Sequence, residues 1–137
     1  MRYMLDTNVC ISLIKHRPVG VKNRLIQFAP DEIGVSGIVA AELWFGVANS
    51  QKKKQNSEAL TDFLTYAVLL DWPHEAAPLY GKIRTGLQKR GTPIGAMDLL
   101  IATHALFLEA VLVTNNTREF ERVPGLKIEN WEKMGDG

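Results

Sequence analysis

The sequence predicts an α/β fold with a mostly parallel sheet, on two observations. Short β-rich runs alternate with longer stretches of helical periodicity, the pattern of strands joined by crossover helices. The first run, Tyr3-Met4-Leu5, ends in a carboxylate, Asp6, followed by a hydroxyl and a carboxamide, Thr7 and Asn8. Ligands of open parallel sheets bind at the carboxyl ends of strands, so Asp6 is a candidate metal ligand from the outset.

The elements follow in order. After strand Tyr3–Leu5 a helix begins near Thr7, an acceptable N-cap, with Val9, Leu13 and Ile14 on one side. Pro18 opens a second helix carrying Val21, Leu25, Ile26 and Phe28, broken by Pro30-Asp31. Ile33 to Ser36 reads as a strand, and Ser36 caps a helix to about Val47. Leu60, Phe63 and Leu64 mark another helix, and Val68-Leu69-Leu70 a third strand. Pro73 sits at a favoured first helical position, ahead of apolar residues spaced to Leu87. Residues 91–95 form a loop. Met97 to Phe107 is helix, with Met97, Leu100, Ile101, His104 and Leu108 on one face. Ala110 to Val113 is a fourth strand, Asn115-Asn116 a turn, Arg118 the start of a short helix, and Lys127 to Glu129 a last strand.

A chain of 137 residues, 46% of them hydrophobic, makes one domain with a real core. Residues 1–132 are assigned to it and 133–137 to a disordered tail. Mean hydropathy is −0.06, and no stretch has the roughly 18 apolar residues of a membrane span. Asp6 interrupts the first apolar run too early for a signal peptide. The lone Cys10 excludes an internal disulfide and fits a reducing cytoplasm. The net charge of +1 names no partner. Basic residues do cluster at 52–54 and at Lys82, Arg84, Lys89 and Arg90, either as solvated helix faces or as polyanion contacts.

Three acids stand out. Asp6 could simply cap the next helix, but Thr7 could serve there. Glu42 lies in Ile38–Val47, otherwise wholly apolar, with no basic residue within a turn. A helix this apolar is expected to be mostly buried, and a carboxylate within it needs a cation unless it reaches solvent at the helix edge. Asp98 begins a helix, where an acid is favourable on electrostatic grounds alone. The same junction places it at the carboxyl edge of the sheet beside Asp6. Three carboxylates from separated segments make a hard oxygen site suited to Mg²⁺ or Mn²⁺. His16, His74 and His104 lack ligand spacing, and His104 reads as a satisfied core histidine. Carboxylate-bound Mg²⁺ typically serves phosphoryl chemistry, which points to a metal-dependent hydrolase or nuclease without choosing the substrate. A phosphatase with Asp6 as nucleophile would want an acid where Asn8 stands.

At Met4-Leu5-Asp6-Thr7-Asn8 the chain resembles the opening of PIN-domain ribonucleases. Glu42-Leu43 with Gly46, Pro93-Ile94-Gly95 before Asp98, residues 113–120 and the closing Glu129-Asn130-Trp131 continue the match in order. The resemblance is closest to VapC-type toxins of bacterial toxin–antitoxin pairs. It implies a PIN-like three-layer fold and a Mg²⁺ or Mn²⁺ cofactor. It also implies endoribonuclease activity on structured RNA, initiator tRNA foremost, which inhibits translation and growth. A small antitoxin that blocks the site, a homodimer, and hetero-oligomers with the antitoxin are implied too. Carried over, Asp6 and Asp98 match the principal metal ligands and Glu42 the third acid. Thr7, Asn8, Thr114 and Asn115 match supporting positions. Many PIN domains have a fourth acid where this chain has Asn116, and the next acid is Glu119. One well-occupied metal is therefore expected, with Glu119 near the site and reaching it mainly through water. The alternative is a surface pairing of Glu119 with Arg118 or Arg122. Self-association and antitoxin docking are expected to use Trp44, Phe45, Val9, Leu13, Leu25 and Phe28.

Overall fold

The computed structural model describes residues 1–134. Five strands, β1 (Tyr3–Leu5), β2 (Ile33–Ser36), β3 (Val68–Leu70), β4 (Val111–Val113) and β5 (Ile128–Glu129), form one sheet in the order β3-β2-β1-β4-β5. Every neighbouring pair is parallel. Met4 is central, level with Gly34 on one side and Leu112 on the other. The order explains the site's position. From β1 the chain steps outward to β2 and β3, then returns to the other side of β1 as β4 and β5. The carboxyl end of β1, where the order reverses, is where such sheets leave a crevice.

Helices α1 (Thr7–Ile14), α2 (Val19–Leu25), α3 (Gly37–Ala48) and α4 (Lys53–Phe63) pack on one another. Helix α5 (Ala77–Lys89) packs against α6 (Ala96–Phe107), and α6 against β4. Two one-turn helices, α7 (Thr117–Phe120) and α8 (Trp131–Met134), complete the chain. No described helix is long and apolar enough to cross a membrane. The core runs through the sheet, with Met4, Leu5, Ile33 and Leu112 at most 1% exposed. Gly34 is required by packing: a Cβ there would lie 2.8 Å from Met4 Sδ and 2.9 Å from Leu70 Cδ1.

Several expectations are corrected. Asp6, not Thr7, caps α1, its Oδ1 accepting from Val9 N at 2.9 Å. Pro73 does not begin the helix; it caps a 3₁₀ turn over His74–Ala76, and Pro78 occupies the first turn of α5, where a missing N–H costs nothing. The buried face of α6 is Leu99, Ile101, Ala102, Thr103, His104 and Ala105, while Met97 is 42% exposed. An almost wholly apolar helix offers no polar stripe to show which side turns inward. Helix α3 is not mostly buried either: only Val39, Ala40 and Leu43 are, and Phe45 is 70% exposed. Val9 and Leu13 are core residues rather than interface candidates, and Leu25 and Phe28 pack partly against the core. The tail expected from residue 133 is helical as far as Met134, and residues 135–137 lie outside the described residues. Trp131 holds α8 down: 1% exposed, it lies edge-on to Tyr3 and stacks with Phe28.

Candidate active site

Asp6 leaves β1 as its backbone N–H donates to Val113 O at 3.1 Å, which fixes it over the β1–β4 junction. The residue is 5% exposed. Burial pushes its carboxyl above the usual carboxylate range, and the charges of Glu42 and Glu132 push the same way. Hydrogen bonds from Thr114 and Val9 N oppose the shift. Thr114, fully buried at the end of β4, also accepts from Asn116 N at 2.9 Å, so one hydroxyl orders both the turn and Asp6.

Glu42 reaches the site from α3. Its Oε1 accepts from Thr7 Oγ1 at 2.6 Å, a local donor for a half-buried acid in an apolar helix. Asp98 enters from the first turn of α6. Its carboxyl is pushed up to about 6, by burial first, then by the charge of Glu119 and a hydrogen bond shared with it, then by Glu42 and Asp6. The nearness of Glu119 makes the charged form of Asp98 unfavourable. Glu119 is turned inward by two donors, Asn116 Nδ2 at 2.9 Å and Gly95 N at 3.3 Å. Arg122 does not pair with it but donates to Pro93 O at 3.0 Å, tying the 91–95 loop to the segment after α7. Among the described residues Glu119 forms no ion pair with Arg118 or Arg122, and its charge acts on Asp98.

Asp6, Glu42, Asp98 and Glu119 thus come from four separate elements and act on one another electrostatically. Asn8 is exposed beside them. Among the described residues no basic side chain contributes to the shifts of Asp6 or Asp98. Among the described residues no three acids are already drawn together tightly enough to grip an ion. The donors, all carboxylate oxygens, fit a hard divalent cation rather than zinc. His104 is the satisfied core histidine expected, 1% exposed with Nδ1 2.8 Å from Ser36 Oγ. Sequence reasoning missed Glu132. It accepts from Asn115 Nδ2 at 3.1 Å, and its backbone N–H donates to Asn130 Oδ1 at 3.0 Å. The signal was present: Asn130 is a good N-cap two residues before Glu132.

A parallel sheet with carboxylates converging over its central strand is the architecture of a nuclease-type metal site. The PIN domain family matches residues 3–126. The chain is 46% identical over 134 residues to Ribonuclease VapC2 of Rickettsia felis, covering 97% of this chain and all of that protein. It is 39% identical to the tRNA(fMet)-specific endonuclease VapC of Shigella flexneri, covering 96% and 98%. A crystal structure of VapBC2 from Rickettsia felis bound to a DNA fragment from their promoter superposes with a TM-score of 0.90 at 44% identity, over 96% of this chain and 99% of that one. The chain belongs to the PIN domain family, among its VapC ribonucleases.

Proposed function

We propose that this protein is the endoribonuclease toxin of a toxin–antitoxin pair. On this reading it hydrolyses phosphodiester bonds in structured RNA with Mg²⁺, or Mn²⁺ in its place, and so arrests translation in the cytoplasm. Initiator tRNA is the substrate of choice, given the specificity named for the Shigella flexneri relative. The observation that carries the reading is the gathering of Asp6, Glu42, Asp98 and Glu119 from four separate elements, where Glu119, Glu42 and Asp6 all raise the carboxyl of Asp98. Such a site is strained when empty and relieved by a divalent cation.

Asp6 and Asp98 are the residues that would hold the metal, with Glu42 as third ligand. A bound Mg²⁺ lowers the pKa of its water and shields charge developing on the phosphate. The chain's own residues supply orientation. Thr114 and the Val9 N–H fix Asp6, Thr7 fixes one oxygen of Glu42, and Asn116 and the Gly95 N–H aim Glu119. Asn8 and Asn115 complete the supporting set.

An antitoxin that covers the acids and a second copy of the chain are the proposed protein partners, the first supported by the likeness to the toxin chain of VapBC complexes. The apolar surface available to them includes Trp44, 40% exposed, and Phe45, 70% exposed. Exposed apolar patches of this kind mark interfaces.

The test is RNA end-mapping after brief induction, with cleavage by the purified chain beside it. Mg²⁺ or Mn²⁺ should restore activity lost to chelator, and Asp6→Asn and Asp98→Asn should each abolish it with the fold kept. Cleavage that persists in excess chelator would sink the metal mechanism.

A further inference from the structure

Helix α5 carries a feature that neither the core nor the acid site accounts for. Two glycines, Gly81 and Gly86, stand inside its thirteen residues. Glycine is the poorest ordinary residue for a helix interior, and it is favoured where something must approach the backbone closely. Packing within the chain does not require either. A Cβ at Gly81 would meet nothing within 4 Å, and one at Gly86 only the far end of Arg90, at 3.7 Å.

Both glycines line an open groove of about 690 Å³, together with Lys82, Lys89 and Arg90, and with Leu106 and Pro124 on its other side. No acid lines it. Among the described residues none of the three cations is in an ion pair. Lys82 and Lys89 are two helical turns apart, roughly 10 Å along one face.

The groove is joined to the acids through the chain and through α6. A short loop makes α5 and α6 packed neighbours, and the Lys89–Arg90 end of α5 leads directly into residues 91–95 ahead of Asp98. That loop is tied to the site by Glu119, which accepts from Gly95 N, and by Arg122, which donates to Pro93 O. Leu106 lies eight residues beyond Asp98 on α6, roughly 12 Å along the helix. An RNA strand must bring its phosphates up to a cluster of four carboxylates that repel it. A net charge of +1 supplies no general attraction, so the attraction has to be local.

We propose that this groove is a binding tract for the RNA backbone, with Lys82, Lys89 and Arg90 holding phosphates and Gly81 and Gly86 admitting the sugar-phosphate chain against the helix. The proposal rests on the endoribonuclease reading and adds where the substrate lies beyond the cut.

The experiment measures binding of a folded tRNA transcript to the full-length protein carrying Asp6→Asn, so that the RNA stays intact. Salt is varied from 50 to 200 mM. Adding K82Q, K89Q and R90Q together should weaken binding about tenfold or more, and should flatten the dependence of log affinity on log salt by about 2 to 3. Gly81→Ala and Gly86→Ala should each raise the melting temperature yet bind RNA several-fold more weakly. A purely structural glycine would move both readouts in the same direction. Unaltered RNA affinity and salt slope in the triple variant of a chain that does cut RNA would overturn the tract and leave the catalytic reading standing. An unmodified chain that binds RNA through the groove but never cuts it would overturn the catalytic reading and leave the tract standing. RNA affinity unchanged while binding of polyglutamate is lost would assign the groove to an acidic protein and overturn the tract.

Discussion

Thr7 and Glu42, 35 residues apart in sequence, are joined side chain to side chain at 2.6 Å. The hydroxyl donates and the carboxylate accepts, which makes the bond short and charge-assisted. It bridges the first turn of α1 to the middle of α3 and leaves the second oxygen of Glu42 for the site. It also gives the acid a local donor within so apolar a helix.

Thr7→Val should therefore act on both stability and metal. Losing one charge-assisted bond at a half-buried position should cost about 1 kcal/mol, below the full value for a buried one. Denaturant midpoints read that loss. Metal affinity should also fall, because Glu42 is no longer oriented. A variant with unchanged metal affinity would show that the bond serves only to join the helices.

Asp98→Asn should stabilise the metal-free protein at neutral pH while abolishing cleavage. The carboxyl of Asp98 is held up at about 6 against an ordinary 3.8. Its protonated form is thus favoured by folding. That contribution is fully present below 3.8 and is lost as pH rises through about 6. Asn mimics the protonated form at every pH. In chelator, the variant's advantage in melting temperature should be widest above pH 6 and vanish below pH 4. An advantage independent of pH would mean that crowding of charge is not its source.

Much of this was legible because the strands punctuate themselves. Tyr3–Leu5, Ile33–Ser36 and Val68–Leu70 were read at their observed bounds, each being a short apolar run closed by a polar residue or a turn. Asp6 and Asp98 were legible because a strand end and a helix start fix where a side chain emerges. The buried faces of α3 and α6 were not, since periodicity carries no information when almost every position is apolar. Glu132 was missed because its place depends on Trp131 docking against Tyr3 and Phe28, contacts between the two ends of the chain.

His104 predicts a pH effect of opposite sign. Burial holds its imidazole below the ordinary 6.5, so the folded protein keeps it neutral against Ser36 Oγ. Here the unfolded chain binds the proton more readily. The contribution to stability is intact above 6.5 and diminishes as pH falls below it. The two effects overlap, so the measurement belongs in the Asp98→Asn background. There, lowering pH from 7 to 5 should destabilise the protein, and His104→Gln should flatten that slope. An equal slope in both would place the acid sensitivity elsewhere.

The last prediction concerns Asn116, where many PIN domains carry an acid. Its amide donates to Glu119 Oε2 at 2.9 Å, and Gly95 N holds the other oxygen at 3.3 Å. Glu119 is thus held near Asp98 by two donors, and we propose that it replaces the missing negative charge. Glu119→Gln should lower metal affinity about tenfold, the usual effect of disturbing a group that supports a metal ligand. Asn116→Asp alone should repel Glu119, lose its donor, and raise the protein's sensitivity to salt. Combined with Glu119→Gln, the same change places a carboxylate in the turn and gives it an amide donor from the new glutamine. The pair should therefore recover part of the metal affinity that Glu119→Gln loses, as read by calorimetric titration with Mn²⁺ and by metal-dependent RNA cleavage. If Glu119→Gln titrates like the parent chain, the charge at 119 is not part of the metal site, and the hydrogen bonds from Asn116 and Gly95 serve only to close the loop.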